Sequence, residues 1–315
     1  MEKQKVVLIA GPTGVGKTAS SVVLAKKLNT EIISCDSMQI YKGMDIGTAK
    51  VTPLEADGVV HHMTDIISPD KSFSVCDYVD MAKRCIEEIA KDGKIPLVVG
   101  GTGLYADSLL KGIDFDKDAS KDDTYRKHLV SVAEQKGAQY LHSLLVQKDR
   151  ESADAIHPNN VKRVIRALEY YHITGEKISH HNECTKNKEA PYNSVRIYFT
   201  RERENLYKRI DMRVDEMIEL GLKDEVKALK EKGIGEDTTA MQAIGYKEMY
   251  AYLTKKIGFD EAVNLIKQSS RHYAKRQLTW FKRDKDGIWL NLDEFSSTED
   301  IAQRCIEIVA DAFDR

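Results

Sequence analysis

The chain has 315 residues, 42% hydrophobic and 31% charged, a balance that excludes a disordered protein and leaves enough length for about two domains. Lys and Arg total 48 against 50 Asp and Glu, a net charge of −2, so any nucleic-acid binding must use a local basic patch. The longest apolar runs, such as Val6–Ala10, fall far short of the ~20 residues of a membrane-spanning helix, and the charged Met1–Lys5 start carries no signal-peptide pattern.

The cysteines, Cys35, Cys76, Cys85, Cys184 and Cys305, are odd in number and contain no C-x-x-C pair. That usage fits a reducing cytoplasm and gives no zinc signature.

Lys5–Ala10 reads as a continuous apolar strand buried on both faces. A Gly-rich turn and a helix to about Lys27 follow, then a short strand at Glu31–Ser34. The paired His61–His62 and His180–His181 lack partners at metal-ligand spacing and are expected in loops. Ser74 and Asp77 form a capping box ahead of an apolar helix face carrying Val75, Tyr78, Val79, Ala82, Ile86 and Ile89. Ile95–Val99 is a further apolar strand, ending at Gly100-Gly101. Residues from about 116 to 188 read as helical and polar, opening on an acidic stretch (Asp114, Asp116, Asp118, Asp122, Asp123). Lys177–Pro191 is expected to return as a loop. Val195–Thr200 is the next strand. Ser297 with Asp300 repeats the capping box before Ile301, Ala302, Cys305, Ile308, Val309 and Ala312.

Gly11-Pro12-Thr13-Gly14-Val15-Gly16-Lys17-Thr18 matches the phosphate-loop pattern G-x-x-x-x-G-K-[ST] between a buried strand and a helix. The glycines let backbone N–H groups wrap a phosphate chain, and the helix N-terminus adds partial positive charge. Lys17 would sit on the phosphates and the Thr18 hydroxyl on Mg²⁺. The motif specifies a phosphate chain but no particular ligand or reaction. Phosphate-loop hydrolases also place an acid after an apolar strand, whereas Pro96–Val99 runs into Gly100-Gly101-Thr102-Gly103. An acid stands instead after the second strand, at Asp36. Phosphate is therefore expected as a leaving group or donated group rather than as a hydrolysed one. The predicted fold class is α/β, a P-loop NTPase-like core with a parallel sheet flanked by helices, plus a helical insertion domain. The expected boundaries are core 1–115, insertion 116–190, and core 191–315 with basic C-terminal helices.

The phosphate loop, the segment Ile33-Ser34-Cys35-Asp36-Ser37-Met38-Gln39-Ile40-Tyr41 through Lys50, Val99–Tyr105, Ile156-His157-Pro158-Asn159, Arg163–Glu169, Gly245-Tyr246 and Tyr273–Phe281 occur in this order. Together they resemble the bacterial tRNA dimethylallyltransferase family over about residues 6–285. The resemblance implies transfer of a dimethylallyl group from dimethylallyl diphosphate to the exocyclic amine of the adenosine 3′ of a tRNA anticodon. The tRNAs concerned read codons beginning with U. It implies the tRNA anticodon stem-loop and dimethylallyl diphosphate as partners. Thr18 and the diphosphate imply Mg²⁺ as cofactor, and a cytoplasmic monomer without membrane contact is expected.

The resemblance makes Asp36 the general base, with a helix cap or second-shell magnesium aspartate as the plain alternative. Lys17 and residues Gly11, Pro12, Thr13, Gly14, Val15, Gly16 and Thr18 would hold the diphosphate. Thr102 would lie against the adenosine, unless it only caps a helix. Ser37, Met38 and Gln39 would handle the target nucleotide, Gln39 meeting an adenine edge or filling the gap the base leaves. Arg271 and Lys275 open a basic stretch interleaved with Tyr273, Trp280 and Phe281, whose rings could stack on bases or face the core. Arg126, Lys162, Arg163, Val164, Ile165 and Arg166 would form a second tRNA-binding group. Arg209 and Arg213 would close over the diphosphate or pair with Asp211 and Asp215.

Three alternatives share parts of this pattern. They are an isopentenyltransferase acting on free adenine nucleotides, a small-molecule P-loop kinase, and a nucleic-acid-binding module with a vestigial phosphate loop.

Overall fold

The unbroken apolar run Val6–Ala10 leaves β1 (Lys5–Ala10) no solvent face: Val7 and Ile9 enter one core layer, Val6, Leu8 and Ala10 the other. A computed structural model describes residues 3–113, 123–186 and 189–314. By contact density the chain divides into two compact units, Met1–Leu110 with Pro191–Arg315, and Lys111–Ala190.

The first unit begins with β1, α1 (Lys17–Lys27), β2 (Ile32–Cys35), α2 (Pro53–Ala56), β3 (His61–His62), α3 (Val75–Lys91), β4 (Leu97–Gly100) and α4 (Gly103–Leu110). The second unit is built of α5 (Asp123–Lys136), α6 (Ala138–Lys148), α7 (Arg150–Ala155), α8 (Val161–Thr174) and α9 (Ile178–Lys186). The first unit resumes with β5 (Asn193–Thr200), α10 (Arg203–Glu219), α11 (Leu222–Glu231), α12 (Tyr246–Leu253), α13 (Phe259–Phe281), β6 (Ile288–Asn291) and α14 (Thr298–Phe313).

The strands form a six-stranded sheet of order β3-β2-β4-β1-β5-β6, and each neighbouring pair is parallel. Helices α1, α10 and α14 contribute to one apolar layer, α3 and α4 to the other. The predicted α/β core with a parallel sheet flanked by helices is therefore present. α3 starts at Ser74 with both halves of the capping box formed. At Ser297 only the forward half forms, the Asp300 N–H donating to the Ser297 hydroxyl. A further apolar group from α10 to α13 encloses Ile40, Tyr41 and Met44 of the segment after β2.

Two local expectations are corrected and one strand is added. His61–His62 is an edge strand, pairing with Ile32 and Ile33. His62 Nε2 lies 2.7 Å from Glu31, which Lys94 also contacts at 2.7 Å, so the imidazole and the Lys94 ammonium share one carboxylate at the sheet edge. β6, which pairs with β5, is an addition: of its four residues only Leu290 is buried, so no continuous apolar run marks this edge strand. Lys177–Pro191 contains α9: buried Asp149 accepts the Ser179 N–H at 3.0 Å and hydroxyl at 2.8 Å, anchoring the helix from 30 residues upstream. Asp114, Asp116, Asp118 and Asp122 lie outside the described residues, while the Asp123 backbone opens α5. The core of this unit is Leu129, Leu141, Leu145, Ala153, Val164, Ile165, Ala167 and Leu168.

Among the described residues no helix is long and apolar enough to cross a membrane.

Candidate active site

Register places the site. Ala10 and Cys35 both pair with Gly100, so Gly11, Asp36 and Gly101 leave the sheet at one level, at the carboxyl ends of β1, β2 and β4. Open parallel sheets bind ligands at this edge. A crevice of about 1190 Å³ lies here, lined by Lys17, Thr18, Asp36, Arg213, Tyr273 and Gln277 among others, all in the first unit.

The phosphate loop wraps as its glycines allow. Gly16 caps α1 at φ 112°, a conformation side chains rarely adopt. Lys17 donates to the Gly11 and Pro12 carbonyls, both at 2.9 Å. Burial pushes its pKa down to about 7, with Arg213 adding to the shift and Asp36 opposing it. The loop thus holds a lysine whose charge an arriving anion would restore.

Arginines surround the loop. Arg209 Nε donates to the Gly14 carbonyl at 3.0 Å, and Arg213 reaches the Thr13 hydroxyl at 3.4 Å and the Thr48 carbonyl at 3.5 Å. Burial lowers both guanidinium pKa values. Asp211 pairs instead with Arg271, and Asp215 with Lys267 at 2.6 Å. Arg209 and Arg213 thus contact the phosphate loop, and the pairing with Asp211 and Asp215 is not formed. Arg201 is an addition: its Nε donates to the Val15 carbonyl at 2.9 Å while Asp293 holds Nη1 at 2.5 Å. Its signal was available, since Arg201 directly follows a strand aimed at the crevice.

Asp36 Oδ1 accepts the Met38 N–H at 2.8 Å and the Gln39 N–H at 3.4 Å. Its Oδ2 has no hydrogen-bond partner among the described residues. Thr102 Oγ1 accepts the Ser37 N–H at 3.0 Å and lies 3.4 Å from the Ser37 hydroxyl. The Thr102 hydroxyl therefore faces the Asp36 segment; its backbone carbonyl serves the first turn of α4. Gln39 is braced by Ser34 at 3.0 Å and by the Thr48 and Ala49 carbonyls at 3.3 Å. This side chain shapes the loop after β2 and would have to leave three partners to meet a base edge.

No cluster of three or more His, Cys, Asp and Glu able to hold a metal occurs among the described residues. The Thr18 hydroxyl, exposed at the start of α1 and facing the crevice, has no hydrogen-bond partner there. That suits a cation such as Mg²⁺, which takes most of its oxygens from water and a phosphate chain.

Comparison with known proteins then decides the family. The model of the IPP transferase family matches residues 39–284, and that of isopentenyl transferases residues 4–65. Two relatives named tRNA dimethylallyltransferase illustrate the similarity. That of Lachnoclostridium phytofermentans is 49% identical over 308 residues, 98% of each chain. That of Bacillus subtilis is 51% identical over 290 residues, 92% of this chain and 91% of that one. The chain belongs to the IPP transferase family. The full-length tRNA isopentenylpyrophosphate transferase of Bacillus halodurans superposes with a TM-score of 0.74 at 45% identity, covering 99% of both chains. A eukaryotic dimethylallyltransferase solved acting on tRNA gives 0.83 at 32% identity, covering 99% of this chain and 80% of that one.

The tRNA-binding positions that the resemblance to this transferase family implied divide sharply in the structure. Lys162 and Arg163 are exposed at the start of α8, and Arg166 is half-buried. Val164 and Ile165 are corrected to core residues, 0% and 5% exposed, because they point inward between those cations. Arg126 binds Glu169 by two bonds of 2.7 Å, so its half-exposed guanidinium braces α5 on α8. Arg271 is likewise held by Asp211, whereas Lys275 is exposed. The interleaved aromatics turn inward. Phe281 is buried, Trp280 donates to Asp107 at 2.7 Å, and burial raises the Tyr273 phenol pKa.

Proposed function

We propose that this transferase moves a dimethylallyl group from dimethylallyl diphosphate to the N6 amine of the adenosine 3′-adjacent to the anticodon in tRNAs reading codons beginning with U. The observation that carries the reading is the pairing at one sheet edge of an arginine-ringed phosphate loop with Asp36, and no acid at the end of β4 to activate water. Relatives matched over nearly the whole chain are named tRNA dimethylallyltransferase, which supports the transfer of this group to tRNA.

In the reaction the bond between the prenyl carbon and diphosphate oxygen breaks as the N6–carbon bond forms. Lys17, the loop N–H groups, Arg209 and Arg213 take the charge left on diphosphate. The free Oδ2 of Asp36 accepts the N6 proton, while its Oδ1 remains fixed by two backbone N–H groups. Thr102 fixes the Ser37 backbone and so the aim of Asp36. The Thr18 hydroxyl is the side chain that would hold Mg²⁺, which when bound would supply positive charge beside the leaving diphosphate. Lys162, Arg163 and Lys275 are the exposed cations suited to tRNA phosphates. The chain is read as a cytoplasmic monomer.

The test incubates the purified protein with Mg²⁺ and dimethylallyl diphosphate, adding unmodified tRNA to one tube and AMP or ADP to another. Nucleoside mass spectrometry reads the product. Dimethylallyl-adenosine from the tRNA tube alone is the expected result. Product from the free nucleotide alone would replace tRNA as acceptor, and silence in both tubes would overturn the reading in favour of ATP chemistry.

A further inference from the structure

Gln277 of α13 is 5% exposed and spends both ends of its amide on the site's two loops. The Thr13 N–H of the phosphate loop donates to Gln277 Oε1 at 2.9 Å, and Gln277 Nε2 donates to the Gly101 carbonyl at 2.8 Å. Only this amide orientation satisfies both partners, since Thr13 offers a donor and Gly101 an acceptor. The approach is close enough that a Cβ at Gly101 would lie 2.2 Å from Nε2. Residue 101 is thereby glycine for a reason unconnected with its own backbone angle.

The rest of α13 supports this bridge. Tyr273, one turn earlier, lines the same crevice. Trp280, nearly one turn later, reaches Asp107 of α4 and leaves no room for a Cβ at Gly103. The helix is thus pinned to the Gly101–Asp107 segment at Gln277 and again at Trp280. From Gly101 the chain of contacts runs through Thr102 to Ser37, the residue after Asp36. On the other side it ends on Thr13, in the loop that holds the leaving group.

We propose that Gln277 is a positioning residue that holds the phosphate loop and the Gly101–Thr102 turn at a fixed separation, and through it the leaving diphosphate and Asp36. This rests on the prenyl-transfer reading above. A side chain acting this way affects the transfer step more than binding, because misplacing reacting groups by about 1 Å can cost ~10²-fold in rate.

The experiment compares the parent with Gln277→Met, which keeps the length and loses both bonds, and Gly101→Ala, which pushes on the same contact from the other side. Single-turnover transfer is measured with saturating dimethylallyl diphosphate and tRNA, alongside affinity for inorganic diphosphate and for tRNA. Hydrogen exchange over residues 11–18 and 100–103 is read on the free proteins. The expected result is transfer slowed by about tenfold or more with both affinities within about threefold, and faster exchange in both segments. Transfer within about twofold of the parent in the folded variants overturns the proposal. So does a rate loss matched by lost diphosphate affinity, which would make Gln277 a ligand contact. If Gln277→Met does not fold, Gly101→Ala decides. A parent that fails to prenylate tRNA refutes the activity instead, and the exchange rates still decide whether the bridge holds the two loops.

Discussion

Tyr246 donates its phenolic O–H to Glu225 Oε1 at 2.5 Å. The same carboxylate accepts the backbone N–H groups of Asp45, Ile46 and Gly47 at 2.9, 2.8 and 3.1 Å. The segment after β2, which carries Asp36 at its start, is therefore held at its far end by a side chain 180 residues away. Glu225→Ala is expected to lower stability by about 2 kcal/mol, since hydrogen bonds to a charged group are each worth about 1.5–3 kcal/mol and overlap here. Denaturant unfolding and limited proteolysis within residues 36–50 check this. A variant with parental stability and cleavage would show the clamp to be idle.

Lys17 is near half-protonation at neutral pH in the free protein, because burial holds its pKa at about 7. A bound diphosphate raises that value, so above pH 7 binding must take up a proton. Affinity due to this group is complete below about 7 and falls as pH rises, at most about tenfold per unit, until the pKa of the complex is passed. Titration calorimetry at pH 8 in buffers of different ionisation heat should show more proton uptake in the parent than in Lys17→Arg. Equal uptake would refute the coupling. Lys17→Ala is expected to lose about 10²-fold or more in transfer with tRNA affinity little changed.

Asp36→Asn retains an oxygen for the Met38 and Gln39 N–H groups and loses only the proton acceptor. Transfer is expected to fall about 10²–10⁴-fold at unchanged melting temperature and diphosphate affinity. Turnover near the parental rate would remove Asp36 as base.

Arg126 and Lys162 separate strut from surface. Arg126→Ala strands the buried Glu169 carboxylate and should cost about 2 kcal/mol, below the 3–5 typical of fully buried pairs because Arg126 is half exposed. Lys162→Ala and Arg163→Ala should change stability by less than about 0.5 kcal/mol. Each should flatten the salt dependence of tRNA binding by about one counterion. A flattened slope in Arg126→Ala at parental stability would reverse the assignment.

Features carried by neighbouring residues were legible in the sequence. The phosphate loop, the Ser74 capping box, the double-faced strand Val6–Ala10 and the acid at Asp36 depend on contacts a few residues apart or on an unbroken apolar run. The motif Arg163–Glu169 was legible only as a string. Winding it into α8 sends Val164 and Ile165 inward and leaves Lys162 and Arg163 outside, while Glu169 turns inward to draw Arg126 onto itself. His61–His62 became a strand only because β2 lies beside it.

By itself the sequence determined the chemistry: a phosphate cradle, an acid on the adjoining strand and no acid at the end of β4, in an order shared with one enzyme family. Only the tertiary structure decided which side chains hold those pieces in place. Gln277 lies 264 residues from Thr13 and Arg201 lies 186 from Val15, and position along the chain names neither partner, although Arg201 does follow a strand end. The parallel sheet joins them, because its crossovers bring distant strand ends to one edge, where Gln277 of α13 meets two of the loops.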